Sequence, residues 1–477
     1  MDVNASWNKF YQAVLQLTDS LRTLGINRMD RVAIMLPNVP QLPISYYAAL
    51  RLGAPVITLD PDLKGREIAY LLDDSEAKVL IILDKYLMEI EKYIRSHPVL
   101  KTKIVLGNSI PNGTYSLANA ITKGKLDMTA SDVDDDDLAV IQYTAGVTGS
   151  PKGVMLSQAN IAFAVEAARE TLKVTEDDII LGAESLCRSL GQHLVMNLSV
   201  VTGARMDLLP KFEIDSIHNK LINDKVTLFP TVHSTFKKIL DANEDKLTPK
   251  HPARMCLSVG GTIDDEVLKQ FETEFETYIL EGYSLTETCS VAAYNQWRTG
   301  RRVNSLGHPI PGIDMKIVNE KGAELALGET GEIVVRGGSV MKGYLNRPRT
   351  TAETLIDGWF RTGDLGKMDV NGFFYLFDRM HHRIMKGGFS VYPSEIEKVI
   401  LEHPDVEDVA VIPVPDEVFG QEIKACIITT EDSLVTTEDI AAYCYERLAA
   451  YKVPGVIRFY KDFPKLSNGK IDKAELA

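Results

Sequence analysis

Tyr143-Thr-Ala-Gly-Val-Thr-Gly-Ser-Pro-Lys-Gly153 follows Asp137-Leu-Ala-Val-Ile-Gln142, a short apolar run that reads as a strand. Glycines and hydroxyls delivered at a strand end suit a loop that wraps a phosphate. A P-loop of the usual kind needs Gly-Lys-Ser/Thr opening a helix. Here Pro151 precedes Lys152, and the residue before a proline is pushed out of helical geometry. The stretch therefore reads as a different nucleotide grip. Gly146 and Gly149 let backbone N–H groups approach anionic oxygens, Thr148 offers a hydroxyl to a phosphate or a metal ion, and Lys152 adds a point charge. Taken alone, an exposed turn explains the same residues as well; the rest of the chain decides.

Before the loop, apolar residues at helical spacing (Phe10, Val14, Leu17, Leu21, Leu24) predict an opening helix from Trp7 to Leu24 that stops at Gly25. Arg31–Leu36 reads as a buried strand, Gln41–Leu52 as a helix and Pro55–Leu59 as another strand. Strand, helix, strand at this spacing predicts a parallel sheet, continued by Lys78–Leu83 and Lys103–Leu106. After the loop a helix is expected over Asn160–Leu172, and the alternation resumes through Leu194–Val201, Arg205–Leu209 and Val226–Phe229. Met255–Gly261 reads as a strand running into a tight turn, with Gly261 and Thr262 at its end, and an acidic helix follows over Asp264–Phe275. The next strand leads into Glu281-Gly-Tyr-Ser-Leu-Thr-Glu-Thr288. Polar residues thus gather at strand ends, where open parallel sheets bind ligands. Past Leu306, runs such as Gly331–Arg336 with Gly and Pro punctuation predict smaller antiparallel elements, and a boundary is expected at Met380-His-His-Arg383.

The 477 residues, 45% of them hydrophobic and 25% charged, describe an ordinary globular protein with room for a large core. No apolar run approaches membrane-helix length, and Met1–Phe10 has no signal-peptide core, so a cytoplasmic protein with no integral membrane segment is expected. Five cysteines without a Cys-x-x-Cys pair argue against a zinc site or a disulfide framework. A formal charge of −14 disfavours nucleic acid as a partner, and the run Asp132–Asp137 reads as a solvated linker.

The glycine loop, Gly282-Tyr-Ser-Leu-Thr-Glu-Thr288, Thr362-Gly-Asp364, Asp378-Arg379 and Pro464-Lys-Leu-Ser-Asn-Gly-Lys470 occur in that order. The ordered series resembles the adenylate-forming superfamily of acyl-CoA synthetases, luciferases and peptide-synthetase adenylation domains, over nearly the whole chain. Val340–Asn346, Gly388–Glu397 and Tyr451–Pro454 bring it closest to fatty-acyl or other carboxylate-CoA ligases. Pattern and resemblance together predict an α/β fold. A large N-terminal domain, residues 1–379, would hold parallel-rich αβ sheets and a small β-barrel-like subdomain; a small mobile α+β C-terminal domain, residues 380–477, would carry the catalytic lysine.

The resemblance implies that ATP converts a carboxylate to an acyl-AMP with release of pyrophosphate, after which a thiol displaces AMP. Thr144, Thr148 and Lys152 would hold the β- and γ-phosphates, with Gly146, Gly149, Gly261 and Thr262 in the nucleotide site and Mg²⁺ near Thr148 and Glu287. Tyr283 would stack on adenine, Thr286 would reach the α-phosphate, and Asp364 and Arg379 would bind the ribose. Lys470 would stabilise charge between the attacking carboxylate and the α-phosphate. Cys187, Arg188, Val232, His233 and Gly282 are the candidate acyl-pocket residues. Gly387, Gly388 and Phe389 are those for CoA, and His381 is the hinge. Implied cofactors are ATP, Mg²⁺ and CoA, with a holo-acyl carrier protein as the alternative acceptor.

Departures stand out at five positions. The family loop usually carries a serine and a threonine where this chain has Ala145 and Val147. Relatives often place Pro and His where Ser185 and Arg188 stand, so Arg188 either pairs with an acidic substrate or turns outward. His381 replaces the usual Asp or Lys at the hinge. These changes keep open a homologue that binds nucleotide or acyl-AMP with weak turnover, although Lys470, Glu287, Asp364 and Arg379 are all retained. A hydrogen bond to a charged group contributes about 1.5–3 kcal/mol. Restoring Ala145→Ser with Val147→Thr is therefore expected to lower the ATP concentration needed for half-maximal turnover. An unchanged ATP requirement would show that neither hydroxyl meets phosphate in this chain.

Overall fold

Val32–Met35, Val56–Thr58, Val79–Leu83 and Leu138–Thr144 are apolar along most of their length because the sheet they form is covered on both faces. The computed structural model describes residues 4–95, 97–126, 128–144, 151–245, 247–261, 263–296, 300–379, 384–391, 393–430, 433–464 and 475–476, and the side chains of all of these except 377–379, 390 and 394. Among the described residues the strands form four sheets.

In the first sheet the order runs Leu138–Thr144, Val56–Thr58, Val32–Met35, Val79–Leu83, Thr102–Leu106 and Tyr115–Ser116, all parallel. The second sheet has a parallel run in the order Ile279–Tyr283, Met255–Val259, Leu228–Val232, Ile179–Gly182 and Arg205–Leu208. Alternate residues of each strand face opposite ways. Ile34, Val56 and Val140 join Leu228, Leu257 and Leu280 in one core shared by the two sheets, together with Ala164, Ala168, Leu194 and Leu198 of the helices. Ala33, Met35 and Ile57 face outward onto helices Gly65–Ser75 and Asp84–Ile94. Phe229 and Cys256 pack with Phe236 and Phe271 on the outer side of the second sheet. All five cysteines are buried and free.

The opening helix spans Trp7–Thr23, and Ser6 caps it by accepting from the Lys9 N–H. The acidic helix spans Asp265–Glu274, where Asp264 caps the N–H groups of Glu266 and Val267 at 2.8 and 3.2 Å. After the glycine loop the chain does not pass straight to a helix. Lys152–Ser157 is a strand antiparallel to Leu138–Thr144, with Thr144 opposite Lys152, and the helix Gln158–Leu172 follows. The loop therefore joins two hydrogen-bonded strands, which is a hairpin and not the strand-to-helix turn of a P-loop. The stretch expected to continue the alternation at Leu194–Val201 is a π-helical segment, Gly191–Asn197, running into helix Leu198–Thr202.

The antiparallel elements form a third sheet from Ile313–Val318, Gly331–Gly337, Trp359–Met368 and Leu355–Ile356, with Phe374–Arg379 paired to Trp359–Met368. A fourth sheet, from Ile384–Lys386 to Val456–Tyr460, has its own apolar cluster around Val411, Ile423 and Cys444, covered by helices Pro393–Leu401 and Thr437–Arg447. The acidic run is not merely solvated: Asp137 pairs with Arg28 at 2.5 Å and Asp136 with Lys342 at 2.7 Å.

Candidate active site

Parallel strands deliver their C-terminal ends to one side, and here those ends from both large sheets open into one cavity of about 700 Å³. Thr144 and Lys152 enter it from the two strands of the hairpin, Asp60 from just beyond Val56–Thr58, Val232 from the end of Leu228–Val232, and Gly260 from the turn after Met255–Val259. Thr286 and Glu287 enter on a short 3₁₀ turn after Ile279–Tyr283. The remaining wall comes from the fourth sheet and its connections, through Gly388, Phe389, Tyr451 and Lys452.

On the loop side three groups interlock. The Lys152 ammonium lies 4.9 Å from the centre of the Tyr344 ring, and the Tyr344 hydroxyl donates to Glu287 Oε1 at 2.9 Å. Burial lowers the Lys152 ammonium below the ordinary lysine range, and Glu287 pulls the other way. A cation, a ring and a carboxylate are thus held together at the end of strand Lys152–Ser157. Tyr283 and Asp364 are not in the cavity lining; the buried Tyr283 hydroxyl donates to Asp364, and the backbone of Asp364 pairs with that of Arg379. Tyr283 and Asp364 are coupled directly, although 81 residues separate them.

Not every candidate faces the cavity. Cys187, Arg188 and Val232 line it, whereas His233 and Gly282 do not. A Cβ on Gly261 would fall 2.7 Å from the His233 ring, and one on Gly282 would fall 1.9 Å from the ring of Tyr294. Both glycines make room for a neighbouring ring. Burial depresses His233 to about 4 and raises the Cys187 thiol to about 12, so at neutral pH the first is uncharged and the second is a protonated thiol. Gly388, at φ +82°, passes so near Val232 that a Cβ would lie 2.6 Å from that side chain; Gly387 also has positive φ, at +58°. The two glycines therefore allow the turn to lie against the cavity. Gly146, Thr148, Gly149, Thr262, His381 and Lys470 lie outside the described residues, as does the side chain of Arg379.

Arg188 does not turn outward: it lines the cavity with its charge paired inside the protein. Its Nε donates to Asp60 at 2.5 Å and its terminal nitrogen stands 3.6 Å from Asp62, so the charge is already answered from within. Burial works against that charge, but Asp60, Tyr451 and Glu184 together outweigh it and the guanidinium stays protonated. Three further cavity residues were given no role on sequence: Asp60, Glu67 and Lys452. The Lys452 ammonium, almost fully buried, donates to Glu395 at 2.6 Å and to Glu67 at 3.0 Å. Asp60 was legible as a polar residue directly after a buried strand, and Lys452 belongs to the quoted Tyr451–Pro454 motif. Glu67 carried only the signal of a first-turn acid in its helix. Among the described residues no three His, Cys, Asp or Glu side chains gather as a metal site.

The model of the family described as AMP-binding enzyme matches residues 2–345, and that of the AMP-binding enzyme C-terminal domain matches residues 395–470. A long-chain-fatty-acid–CoA ligase of Bacillus subtilis (strain 168) is 34% identical, covering 97% of this chain and 88% of the relative. One from Yersinia pestis is 33% identical over 95% and 86%. Among solved structures, a double mutant of o-succinylbenzoate CoA synthetase (MenE) from Bacillus subtilis, bound to a product analogue, matches with a TM-score of 0.85 at 26% identity, covering 98% of this chain and 92% of that one. ATP-bound MatB from Rhodopseudomonas palustris matches with a TM-score of 0.71 at 26% identity, over 98% and 92%.

Glu281, midway along the strand that delivers Thr286 and Glu287, is buried and accepts from the backbone N–H groups of Asn304 at 2.9 Å and Ile263 at 3.4 Å. Burial pushes its carboxyl up to about 7 against the pull of those hydrogen bonds. An unfolded glutamate titrates near ~4.3, so the folded chain binds the extra proton between these values. The resulting stability is whole below ~4.3 and is lost as pH rises through about 7. The stability of the native chain relative to Glu281→Gln is expected to fall by on the order of 1–3 kcal/mol between pH 5 and 8 in urea unfolding. A pH-independent difference would mean that Glu281 titrates as an ordinary exposed glutamate.

Proposed function

The chain belongs to the AMP-binding enzyme family, and from that premise we propose that its cavity joins a long-chain fatty acid to the thiol of CoA through an acyl-adenylate. It is an AMP-forming acid–thiol ligase. The finer reading, of a fatty-acyl substrate, rests on what the ligases of Bacillus subtilis and Yersinia pestis are named for. The observation that carries it is the meeting, in one cavity, of the phosphate-loop strands at Thr144 and Lys152, the carboxylate of Glu287, and the glycine turn at Gly388. The first two serve a nucleotide, and the third leaves a thin passage for a pantetheine arm.

In the first half-reaction a carboxylate oxygen attacks the α-phosphorus of ATP and the bond to pyrophosphate breaks. Thr144 and Lys152 hold the leaving β- and γ-phosphates with Thr148, and Thr286 reaches the α-phosphate. Asp364 and Arg379 take the ribose, Tyr283 the adenine, and Lys470 stands where negative charge develops. Glu287 fits Mg²⁺, an ion that binds through one or two carboxylates plus substrate phosphates and needs no cage of protein ligands. Mg²⁺ would neutralise triphosphate charge there. In the second half-reaction the thiol sulfur attacks the acyl carbonyl carbon, the bond to the AMP oxygen breaks, and AMP leaves. Cys187 and Val232 border the acyl group, and Gly388 and Phe389 guide the thiol arm. Residues 1–379 and 380–477 act as separate domains in this scheme, with His381 at the hinge, so that Lys470 and the glycine turn serve successive steps. No helix among the described residues is long and apolar enough to cross a membrane, and a cytoplasmic site belongs to the same proposal.

Labelled pyrophosphate is expected to exchange into ATP only when a carboxylate and Mg²⁺ are present. Lys470→Ala should lower that exchange by roughly 100-fold or more. Exchange that survives intact in Lys470→Ala would contradict the scheme, and ATP binding without exchange for any carboxylate would favour a binding protein. Presenting CoA and a holo-carrier protein side by side identifies the acceptor.

A further inference from the structure

Arg188 touches more parts of the molecule than any role in the acyl wall requires. It sits on the turn after strand Ile179–Gly182, its backbone N–H donating to Ser185 O at 3.0 Å and its carbonyl accepting from Gln192 at 2.8 Å. Through Nε it reaches Asp60, beside the first sheet. The centre of the guanidinium lies 3.9 Å from the ring centre of Phe389 and 5.3 Å from that of Tyr451. Those two rings stack on each other at 4.1 Å. Phe389 follows the glycine turn, and Tyr451 lies on the short turn Ala450–Lys452. One side chain therefore links both large sheets to the segment that carries Gly388.

A guanidinium suits this position because its edge forms ion pairs while its flat face meets a ring. The two kinds of contact differ in what they depend on. Asp60 and Arg188 each lie just beyond a strand of a large sheet, so their pairing does not need the C-terminal segment. The contacts with Phe389 and Tyr451 exist only when that segment covers the cavity. A contact made in one arrangement and absent from another shifts the balance toward the first. Gly388 itself contributes no side chain, so neighbouring side chains must hold the turn in place.

We propose that Arg188, braced by Asp60, is a positioning residue that clamps the Phe389–Tyr451 pair and so holds the glycine turn on the cavity for transfer of the acyl group to the thiol. This role rests on the two-step ligase reading given above. It also accounts for an arginine at a position that faces an acyl site without serving an acidic substrate: the inner charge is spent on Asp60, and the outer face on the rings.

Two measurements test it, one of them independent of activity. Arg66 and Glu402 pair at 2.7 Å on the exposed rim of the same interface. Cysteines placed by Arg66→Cys and Glu402→Cys can be joined by a short bis-maleimide, and the five native cysteines are buried. Adding Arg188→Ala should slow this cross-link by at least about five-fold, and Arg188→Lys should slow it too, because an ammonium keeps the charge but lacks the flat face. Phe389→Leu, which removes the ring from the other side, should reproduce the effect if Arg188→Ala folds poorly. In parallel, single-turnover transfer from pre-formed acyl-adenylate to CoA is compared with pyrophosphate exchange. The ratio of transfer to exchange should fall at least about ten-fold in Arg188→Ala. An unchanged cross-linking rate, or a loss shared equally by both half-reactions, overturns the clamp. If the native chain exchanges no pyrophosphate the ligase reading fails, and the cross-link still decides whether Arg188 holds the two parts together.

Discussion

Burial on both faces is the constraint from which the rest of this structure follows. A strand such as Val32–Met35, covered by the shared core on one side and by helices on the other, has no place for an unpaired polar side chain along its length. Polar groups are pushed to strand ends, and in parallel sheets the C-terminal ends lie together. Thr144 ends one strand, Asp60, Arg188, Gly260 and Glu287 each follow another, and all five line one cavity. The site is a consequence of the layer architecture, with the hairpin, the third sheet and the final sheet added around its mouth.

Much of this was legible in the sequence because its signals are local. The helical stripe from Phe10 to Leu21 and the apolar runs at Arg31–Leu36 and Lys78–Leu83 set elements within a residue or two of where they stand. The strand Lys152–Ser157 was not predicted. A short apolar run beside a longer helix carries no period of its own, and its partner is fixed only by pairing with Leu138–Thr144. Cavity residues divided in the same way. Lys152, Glu287 and Gly388 stood out through motifs, whereas the roles of Gly261 and Gly282 depend on the rings of His233 and Tyr294 packed against them. Arg188 was noticed as a departure, but its answer lay 128 residues away at Asp60 and about 200 residues away at Phe389. Spacing carries no trace of such contacts.

The charged groups at this cavity are mostly answered by one another. Arg188 has Asp60 and Asp62, Lys452 has Glu67 and Glu395, and Lys152 has the ring and carboxylate of Tyr344 and Glu287. Buried pairs of this kind add little net stability, because desolvation offsets their attraction, yet breaking one leaves a costly unpaired charge. Their effect is on arrangement. Glu67 lies on a helix that covers the first large sheet and Asp60 just beyond one of its strands, while Glu395, Lys452, Phe389 and Tyr451 belong to the final segment, so the same contacts that satisfy buried charge fix where that segment lies. In a ligase with two successive steps, such contacts act on the choice between them.

The acyl-adenylate is the centre of this account, and the path of one oxygen tests it most directly. A fatty acid labelled with oxygen-18 in both carboxylate positions is turned over with ATP and CoA, and the products are weighed by mass spectrometry. One labelled oxygen is predicted in AMP and the other in the thioester carbonyl. Unlabelled AMP, or ADP formed with labelled phosphate, would contradict it.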